Sequence, residues 1–206
     1  MPTINQSKLF IEFLTAEPIL VRESLALATK EIFEPAVIQM QQEFERHPVT
    51  REIDGNIESF NLSRTLPGGK TSEFKNLFSF IGFDRDDQPI EEIRQRLNPE
   101  SPDGPKIKYI RGSQVQNLTF VFSITPPNEE AIYKNTPIPW AVGLSWVKRL
   151  QIGGIPGFSQ FLNTDKSKAS RSGGGIQIKG ILPGRRPFKT VDYINKIIGN
   201  FTDKFK

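Results

Sequence analysis

The chain of 206 residues contains no cysteine and one histidine, His47. The absence of cysteine excludes disulfides, thiolate metal sites and cysteine nucleophiles. A single histidine excludes a His-rich metal site and a two-His catalytic site within one chain. Carboxylate-only magnesium or calcium sites stay open, but the acidic residues show no spacing typical of such a site. The composition therefore predicts no metal and no other cofactor.

Long apolar runs are also missing. No run approaches the roughly 18 residues that a membrane-spanning helix needs. The first twenty residues lack a basic start followed by an apolar core, which a secretory signal requires. We therefore expect no signal peptide, no membrane span and no membrane partner, and a protein that is made and works in water.

What the chain does have is phenylalanine, glycine and proline, with 16 residues of each. Hydrophobic residues make up only 36% of the chain, so the core is expected to consist of few, large side chains. The many glycines and prolines predict frequent turns. The length suffices for one large domain or two small ones.

The net charge of +4 conceals a split between the two halves. Residues 1–105 hold 11 Lys and Arg against 18 Asp and Glu, a net charge of −7. Residues 106–206 hold 16 against 5, a net charge of +11. A basic half is typical of a nucleic-acid surface, and opposite halves also favour head-to-tail self-association. Chance variation of surface charge is the third interpretation.

The segment from residue 17 to residue 49 is the clearest predicted helix. Its apolar residues recur at spacings of three or four, with Glu, Lys and Gln opposite. Pro48 is expected to end the helix, and Pro35 is expected to kink it or to split it in two. The predicted inward stripe comprises Leu25, Ala28, Ile32, Ala36, Met40 and Phe44.

The motif "LPGGKT" at residues 66–71 shares letters with a phosphate-binding loop. That loop requires a glycine five residues before Gly69, and the position holds Arg64. No apolar strand leads into the motif. We therefore interpret it as a flexible turn and not as a nucleotide site.

Three segments follow between residues 76 and 105. "NLFSFIGF" (76–83) is either a buried strand or an aromatic anchor packed under a loop. "DRDDQPIEEIRQRL" (84–97) predicts a short helix with Asp86 or Asp87 as its cap. "NPESPDGP" (98–105) is the best candidate linker, and it coincides with the change in charge.

The second half opens with a predicted hairpin. Its strands are residues 106–110 and 116–124, and the second strand alternates apolar and polar residues. Residues 125–139 are expected to form a loop, and residues 140–150 a short amphipathic helix. The apolar residues proposed for one face of the second strand are Leu118, Phe120, Phe122 and Ile124, and those proposed for the short helix are Trp140, Leu144 and Val147.

The C-terminal part is predicted to contain a mobile loop, a strand and a closing helix. Residues 165–175 are basic and rich in Ser and Gly, which predicts a mobile loop that becomes ordered in an assembly. Residues 176–182 predict a strand. Residues 187–205 predict a closing helix whose inward residues are Val191, Ile194, Ile198, Phe201 and Phe205.

The order of these segments resembles the tail-completion or neck proteins of tailed bacteriophages, also described as head-tail joining or minor tail proteins. In that family the first helix ends in Pro-Val, followed by Thr-Gly and an apolar residue, and a Pro-Phe pair opens the last helix. Residues 48–50 (Pro-Val-Thr) match the first motif, and residues 187–188 (Pro-Phe) match the second. Gly55 lies five residues after Thr50 instead of next to it, and residues 76–105 are interpreted as a possible insertion.

The resemblance implies a small α+β protein without enzymatic activity. Together with the segments above, it predicts one domain over residues 1–206, with a long N-terminal helix and a C-terminal helix packed on a small antiparallel sheet. It also implies a homo-oligomeric ring, usually of six copies, between the head connector and the tail tube or tail terminator of the virion. Genome DNA would pass through the ring without sequence-specific binding, and assembly would take place in the host cytoplasm.

Seven basic residues form the candidate protein interface. We expect two of them, Arg185 and Arg186, to lie at the start of the closing helix, where positive charge opposes the helix dipole. An acidic partner, preferably the acidic half of a neighbouring subunit, or a phosphate would compensate. The full set is Lys166, Lys168, Arg171, Lys179, Arg185, Arg186 and Lys189.

Two other functions remain as alternatives. A nucleic-acid-binding protein would use the same 166–189 cluster on phosphates, although no helix-turn-helix, zinc or single-strand-binding signature is present. A hydrolase would need a metal on an acidic cluster for which helix capping and helix-surface roles fit better. That cluster comprises Asp84, Asp86, Asp87, Glu91 and Glu92.

Overall fold

The structure is a computed structural model that describes residues 19–66, 76–110, 121–152, 161–163, 176–178 and 190–206, with backbone pairing only for 161–163 and 176–178. Within these residues lie a long N-terminal helix, a C-terminal helix and small antiparallel two-stranded sheets. The predicted α+β fold class is confirmed. The expected sheet is divided into three separate hairpins.

Helices and strands alternate irregularly along the chain. The helices are α1 (residues 19–46), α2 (Pro48–Asp54), α3 (Leu77–Ile81), α4 (Glu91–Arg96), α5 (Glu129–Lys134), α6 (Trp146–Gln151) and α7 (Ile194–Asp203). The strands are β1 (Lys106–Ile110), β2 (Val121–Thr125), β3 (Pro137–Ile138), β4 (Ala141–Ser145), β5 (Phe161–Asn163) and β6 (Ile176–Ile178). The strands pair in antiparallel fashion as β1 with β2, β3 with β4, and β5 with β6.

Helix α1 contains one widened turn. Residues Thr29–Phe33 form a π turn, in which the Glu34 N–H donates to the Thr29 carbonyl. The turn lies directly before Pro35, which has no N–H and whose ring would clash with the carbonyl four residues back. The wider turn accommodates the proline, and helix continues on both sides of it.

The π turn also rotates the apolar stripe. The extra residue brings Phe33 into the core, whereas the predicted Ile32 is 55% exposed. Beyond the turn the prediction is confirmed, because Ala36, Met40 and Phe44 are buried. A periodicity of 3.6 residues holds only while the helix remains an α-helix.

Helices α1 and α7 share the hydrophobic core. The rings of Phe33 and Phe201 meet edge to face at 6.3 Å, and those of Phe44 and Tyr193 stack at 6.1 Å. The same core contains Phe78 from before the candidate linker at residues 98–105. That segment is a tight turn, because a Cβ on Gly104 would lie 1.8 Å from the Asn98 carbonyl oxygen. One cluster of buried side chains therefore spans both sides of the charge switch.

Several local predictions were wrong. The phenylalanine-rich segment forms helix α3 and not a strand, with the Asn76 Oδ1 accepting from the Ser79 N–H as its cap. The expected loop at residues 125–139 contains α5, which Asn128 caps. The expected helix at residues 140–150 begins as strand β4, where Gly143 adopts a φ of 76° that α-helix excludes.

The closing helix also starts later than predicted. It begins at Ile194, and residues 190–193 are not helical. The Val191 N–H there donates to the Leu150 carbonyl, so this stretch pairs with the end of α6 and not with its own next turn. Its predicted apolar face is confirmed, with Ile194, Ile198 and Phe201 buried.

Candidate protein interface

The seven predicted basic residues lie outside the described residues, as does the predicted mobile loop at 165–175. They are Lys166, Lys168, Arg171, Lys179, Arg185, Arg186 and Lys189. Strands β5 and β6 pair on either side of that loop. The proposed interface role of the seven residues stays a prediction.

One premise behind Arg185 and Arg186 was wrong. Because α7 starts at Ile194, the two arginines precede the helix by eight or nine residues in sequence. The prediction that the two arginines lie at the start of the closing helix was therefore wrong.

The acidic residues of the hydrolase alternative are described, and most have structural contacts. An Asp87 oxygen accepts from the Asp84 N–H at 2.7 Å, which closes a turn before α4. Neither Asp86 nor Asp87 caps α4, because its first residue follows Ile90, which makes no side-chain cap. Glu92 pairs with Arg96 at 2.8 Å on the surface of α4.

Glu91 is only loosely held. Its partner Arg94 reaches Glu45 on α1 at 2.7 Å and Asp54 on α2 at 2.9 Å, but Glu91 at 3.5 Å. These two close carboxylates also raise the pKa of Arg94, which therefore stays charged. Arg94 ties three helices together and makes its longest contact with Glu91, whose side chain is 46% exposed.

Three of these carboxylates line one cavity of about 450 Å³, named here the acidic pocket. Its acidic wall is the segment from Phe83 to Glu92, and its opposite wall is the segment from Asn135 to Pro139. Trp146 closes the cavity from the core side. The lining residues are Phe83, Asp87, Gln88, Pro89, Glu91, Glu92, Asn135, Thr136, Pro137, Pro139 and Trp146.

The position of Trp146 follows from the end of strand β4. Ser145 keeps extended backbone, and its Oγ accepts from the Lys148 N–H at 3.1 Å as the cap of α6. The Ser145 hydroxyl also bonds to the Thr136 hydroxyl at 2.8 Å, and the backbone N–H of Trp146 donates to the Thr136 carbonyl. The indole is thereby fixed as the first residue of α6, facing the core.

Trp140 fixes the other wall. Its Nε1–H donates to the Ile81 carbonyl at 2.7 Å, at the end of α3. The ring lies over Gly82, which has a φ of 88° and where a Cβ would come within 3.3 Å of the Trp140 Cδ1. A side chain at residue 82 would therefore be strained and crowded, so glycine lets the β3–β4 hairpin dock on α3.

The two tryptophans differ in one respect. Trp146 is fully buried, yet its Nε1–H has no hydrogen-bond partner among the described residues. In the same part of the chain, each of Asp87, Glu91 and Glu92 has one carboxylate oxygen without a hydrogen bond. The unbonded donor is therefore buried out of reach of solvent, whereas the carboxylates lie on the wall of the acidic pocket.

Apolar side chains are exposed on the hairpins. Ile110 and Val121 face each other at the end of β1–β2 that leads into residues 111–120, and they are 51% and 47% exposed. Val142 in β4 is fully exposed. Each described sheet has two strands, so both outer edges of each are unpaired within the described residues.

An apolar groove of about 590 Å³ runs beside the first hairpin. It lies between α1, β1–β2 and the end of α7. Ile32, Ile107, Phe122 and Phe205 contribute its apolar lining. Exposed apolar surface of this kind is typical of a contact surface for another protein.

The junction between α1 and α2 contrasts with these surfaces. His47 lies between the helices, and its Nδ1 accepts from the Val49 N–H at 3.3 Å. Its Nε2–H therefore donates to the Asp192 carbonyl at 3.1 Å. Burial lowers the pKa of His47, the bond to Asp192 opposes this, and the charge of Lys196 lowers it further.

Two buried polar groups continue the junction. The Tyr193 hydroxyl bonds to the Thr50 hydroxyl at 2.8 Å, and burial raises the pKa of Tyr193. The Glu52 carboxylate accepts from the N–H groups of Ser63 and Leu77, both at 2.7 Å. Burial raises the pKa of Glu52, although these hydrogen bonds oppose it.

No local motif indicates the acidic pocket. Its walls come from segments about 45 residues apart, and no motif joins them. A partial signal was Asn128 followed by two glutamates, which is typical of a capped helix start and would have indicated α5.

Among the described residues, no group of three or more His, Asp or Glu side chains is placed to hold a metal ion. No helix in the described ranges has the length and apolar character needed to cross a membrane. The chain matches no protein-family model, no curated protein and no solved structure.

Proposed function

We propose that the chain is a structural, non-enzymatic subunit of an oligomeric ring, and that this ring belongs to the neck of a tailed-phage virion. The ring would join the head connector to the tail tube or tail terminator and surround the channel for the genome. The Pro-Val-Thr motif directly after α1 supports the assignment to the neck, whereas the Pro-Phe pair precedes α7 by several residues and does not open it. The geometry of the hairpins supports the oligomer.

The outer edges of the hairpins, which are unpaired within the described residues, carry this proposal. A two-stranded sheet is marginally stable by itself, and its free edges offer a row of N–H and C=O groups to another chain. Exposed Ile110, Val121 and Val142 add apolar area on the same hairpins. Chains that remain single usually protect such edges with charges or prolines. Strand β1 has Lys106 and Lys108 and β3 has Pro137, but β2 and β4 have neither a charge nor a proline. A ring would cover them with neighbouring subunits.

The test is the mass of the purified chain, measured by analytical ultracentrifugation alone and after mixing with virion extract. A closed oligomer, expected to contain six copies, supports the proposal, as does incorporation into neck particles. A monomer at all concentrations that joins no particle would contradict it.

A matched pair of variants locates the contact. Val121→Lys places a charge on an exposed hairpin position, whereas Leu27→Lys makes the same change on α1, where Leu27 is 57% exposed. Both should leave the melting temperature nearly unchanged, since surface substitutions usually alter stability little. Only Val121→Lys is expected to weaken assembly.

The same preparation tests the nucleic-acid alternative. Duplex DNA is titrated at two salt concentrations, because binding through phosphates weakens steeply with added salt. Tight, salt-dependent binding by a chain that stays monomeric would replace the ring proposal with the nucleic-acid one.

A further inference from the structure

The apolar groove beside the first hairpin carries positive charge where it meets the end of α7. Its described lining contains two cations, Lys204 and Lys206, and no carboxylate. Lys206 pairs with Asp203 at 2.6 Å, whereas Lys204 donates to the side-chain oxygen of Gln39 and makes no ion pair among the described residues. An occupant that fits this groove combines large apolar side chains with a negative charge.

A surface with both properties lies after α2. Phe60 is 69% exposed and Leu62 is 43% exposed, although both are large apolar side chains. Glu58, two residues before Phe60, is exposed and makes no ion pair among the residues that the structure describes. These three residues, Glu58, Phe60 and Leu62, are named here the Phe60 knob.

Hydrogen bonds hold the Phe60 knob in one conformation. The Leu62 N–H donates to the Phe60 carbonyl at 2.7 Å, which closes a tight turn around Asn61. The Asn61 side chain is buried, so its two neighbours are left on the outside of the turn. On the inner side, the Asn76 Nδ2 donates to the Ser59 carbonyl at 2.9 Å. A surface that is already ordered loses little conformational freedom when it binds a partner.

The knob and the groove lie on different parts of one chain. Arg94 bonds to both Glu45 on α1 and Asp54 at the end of α2, so the loop that carries the knob begins near residue 45. The groove contacts α1 at Ile32, which is roughly 20 Å from Glu45 along a helix that rises about 1.5 Å per residue. Two complementary surfaces that lie apart on the same chain are suited to join copies head to tail.

We propose that the apolar groove of one copy binds the Phe60 knob of a second copy, with Phe60 and Leu62 against the apolar lining and Glu58 paired with Lys204. The charges of the two halves favour this orientation, because the knob belongs to residues 1–105, with a net charge of −7, and the groove is formed largely by residues 106–206, with a net charge of +11. The contact is heterologous, and such contacts form rings when the rotation between copies closes. This inference rests on the proposed function, since the partner is a neighbouring subunit.

The first test compares two lysine substitutions on α1. Ile32→Lys places a charge in the groove, where Ile32 is 55% exposed, and Ile38→Lys places the same charge outside the groove, where Ile38 is 53% exposed. Ile32→Lys should raise the subunit dissociation constant about tenfold or more, as expected at the centre of an interface, and Ile38→Lys should leave it unchanged. Analytical ultracentrifugation measures the constant. Equal constants for the two variants would overturn the proposal.

The knob is tested in the same way. Phe60→Ser removes the central apolar side chain of the knob, and Leu27→Ser is the matched change at a residue that is 57% exposed and does not line the groove. Phe60→Ser should also raise the dissociation constant about tenfold or more, whereas Leu27→Ser should not. Because both residues are exposed, both variants should fold. A Phe60→Ser variant that associates as tightly as the unmodified chain would contradict the proposal.

The absence of cysteine allows a direct test that the contact joins two copies. Glu58→Cys and Lys206→Cys are made in separate chains, one of which carries a tag, and the mixture is treated with a short bifunctional thiol reagent. Cross-linked heterodimers should form, because the knob of one copy then lies at the groove of the other. The control mixes Lys206→Cys with Glu100→Cys, which changes an exposed acidic residue outside the knob. Heterodimers no more abundant than in the control would overturn the proposal.

These measurements also separate this inference from the proposed function. If the chain forms rings that neither Phe60→Ser nor Ile32→Lys weakens, this inference fails and the proposed function stands. If the unmodified chain is a monomer throughout, the proposed function fails with it.

Discussion

The α1–α2 junction and the acidic pocket adjoin the same core, but the buried polar groups of the two regions differ in their hydrogen bonding. At the junction, His47, Thr50, Tyr193 and Glu52 all make hydrogen bonds within the chain. At the pocket, the indole N–H of Trp146 has no hydrogen-bond partner among the described residues. The rings of Trp146 and Tyr193 are only 6.3 Å apart, so the difference does not come from distance to the core.

The contrast separates buried polar groups that specify the fold from one that does not. A buried polar group that is fully bonded specifies the fold, since removing its partner leaves an atom that water cannot reach. A buried donor with no acceptor lowers stability instead, because nothing offsets the loss of its bond to water. Substitutions in the two regions should therefore have different costs.

The largest expected effect is at Glu52. Glu52→Gln keeps the size of the side chain but replaces one carboxylate oxygen with an NH₂ group, which faces an N–H of Ser63 or Leu77. Loss of a buried hydrogen bond to a charged group should lower the free energy of unfolding by about 2–3 kcal/mol. Urea unfolding measures this, with exposed Glu58→Gln as the control. An equal effect of the two substitutions would contradict the assignment of Glu52 to the fold.

Tyr193→Phe should have the next largest effect. It removes one hydroxyl and leaves the buried Thr50 hydroxyl without its partner, at a cost of about 1–2 kcal/mol. Tyr133→Phe is the matched change, since the Tyr133 hydroxyl bonds to Glu129 and Gln151, whose side chains are partly exposed and can bond to water instead. Thermal unfolding should rank Tyr193→Phe as the more damaging variant.

His47 should make stability depend on pH. Its pKa in the folded chain lies below the ordinary value of 6.5, so the unfolded chain binds the proton more readily. Stability is therefore complete above about pH 6.5 and is lost as the pH falls from there toward the lowered pKa. Protonation also ends the bond from the Val49 N–H, and loss of a helix cap costs about 1 kcal/mol.

Melting temperatures between pH 5 and pH 8 measure the effect of His47. His47→Asn is the control, because asparagine also caps helices but does not titrate in this range. The variant should show a flatter profile. Identical profiles would place the pH dependence elsewhere.

The smallest effect is expected at Trp146. Trp146→Phe removes the unbonded N–H, which favours the free chain, and also removes buried volume, which disfavours it. The two terms oppose each other, so the free energy of unfolding should change by less than about 1 kcal/mol, although full removal of a buried aromatic ring costs about 3–5. A loss as large as that would mean that the indole N–H has an acceptor in the free chain.

The sequence was informative where structure is local and regular. The apolar periodicity of α7 and of α1 beyond the π turn predicted their core residues, because each helix has one buried face. In β2 the predicted Phe122 and Ile124 are only partly buried, and Leu118 and Phe120 lie outside the described residues. The exception at Ile32 came from the π turn, since one added residue changes which side chain faces inward. The residues before Pro35 carry no sequence pattern that distinguishes a π turn from a kink.

Contacts between distant segments were beyond the sequence. The apolar residues of 140–150 have the spacing of a helix. However, Trp140 packs on Gly82 and bonds to the Ile81 carbonyl, and the residues after it form strand β4 of a hairpin. The start of α7 was displaced because Val191 bonds to Leu150, a residue whose position no local pattern indicates. The acidic pocket was missed for the same reason, and the predicted basic interface lies outside the described residues.

The pairing of α1 with α7 has a consequence for the time at which the chain can fold. His47 and Asp192 are 145 residues apart, and Glu43 bonds to Asn200 at a separation of 157. A ribosome adds roughly 5–20 residues per second, so α1 emerges many seconds before the helix that covers it. Non-local contacts of this length also close slowly. During synthesis the apolar side of α1 therefore remains exposed to solvent, and it needs protection from aggregation until residue 201 has been made.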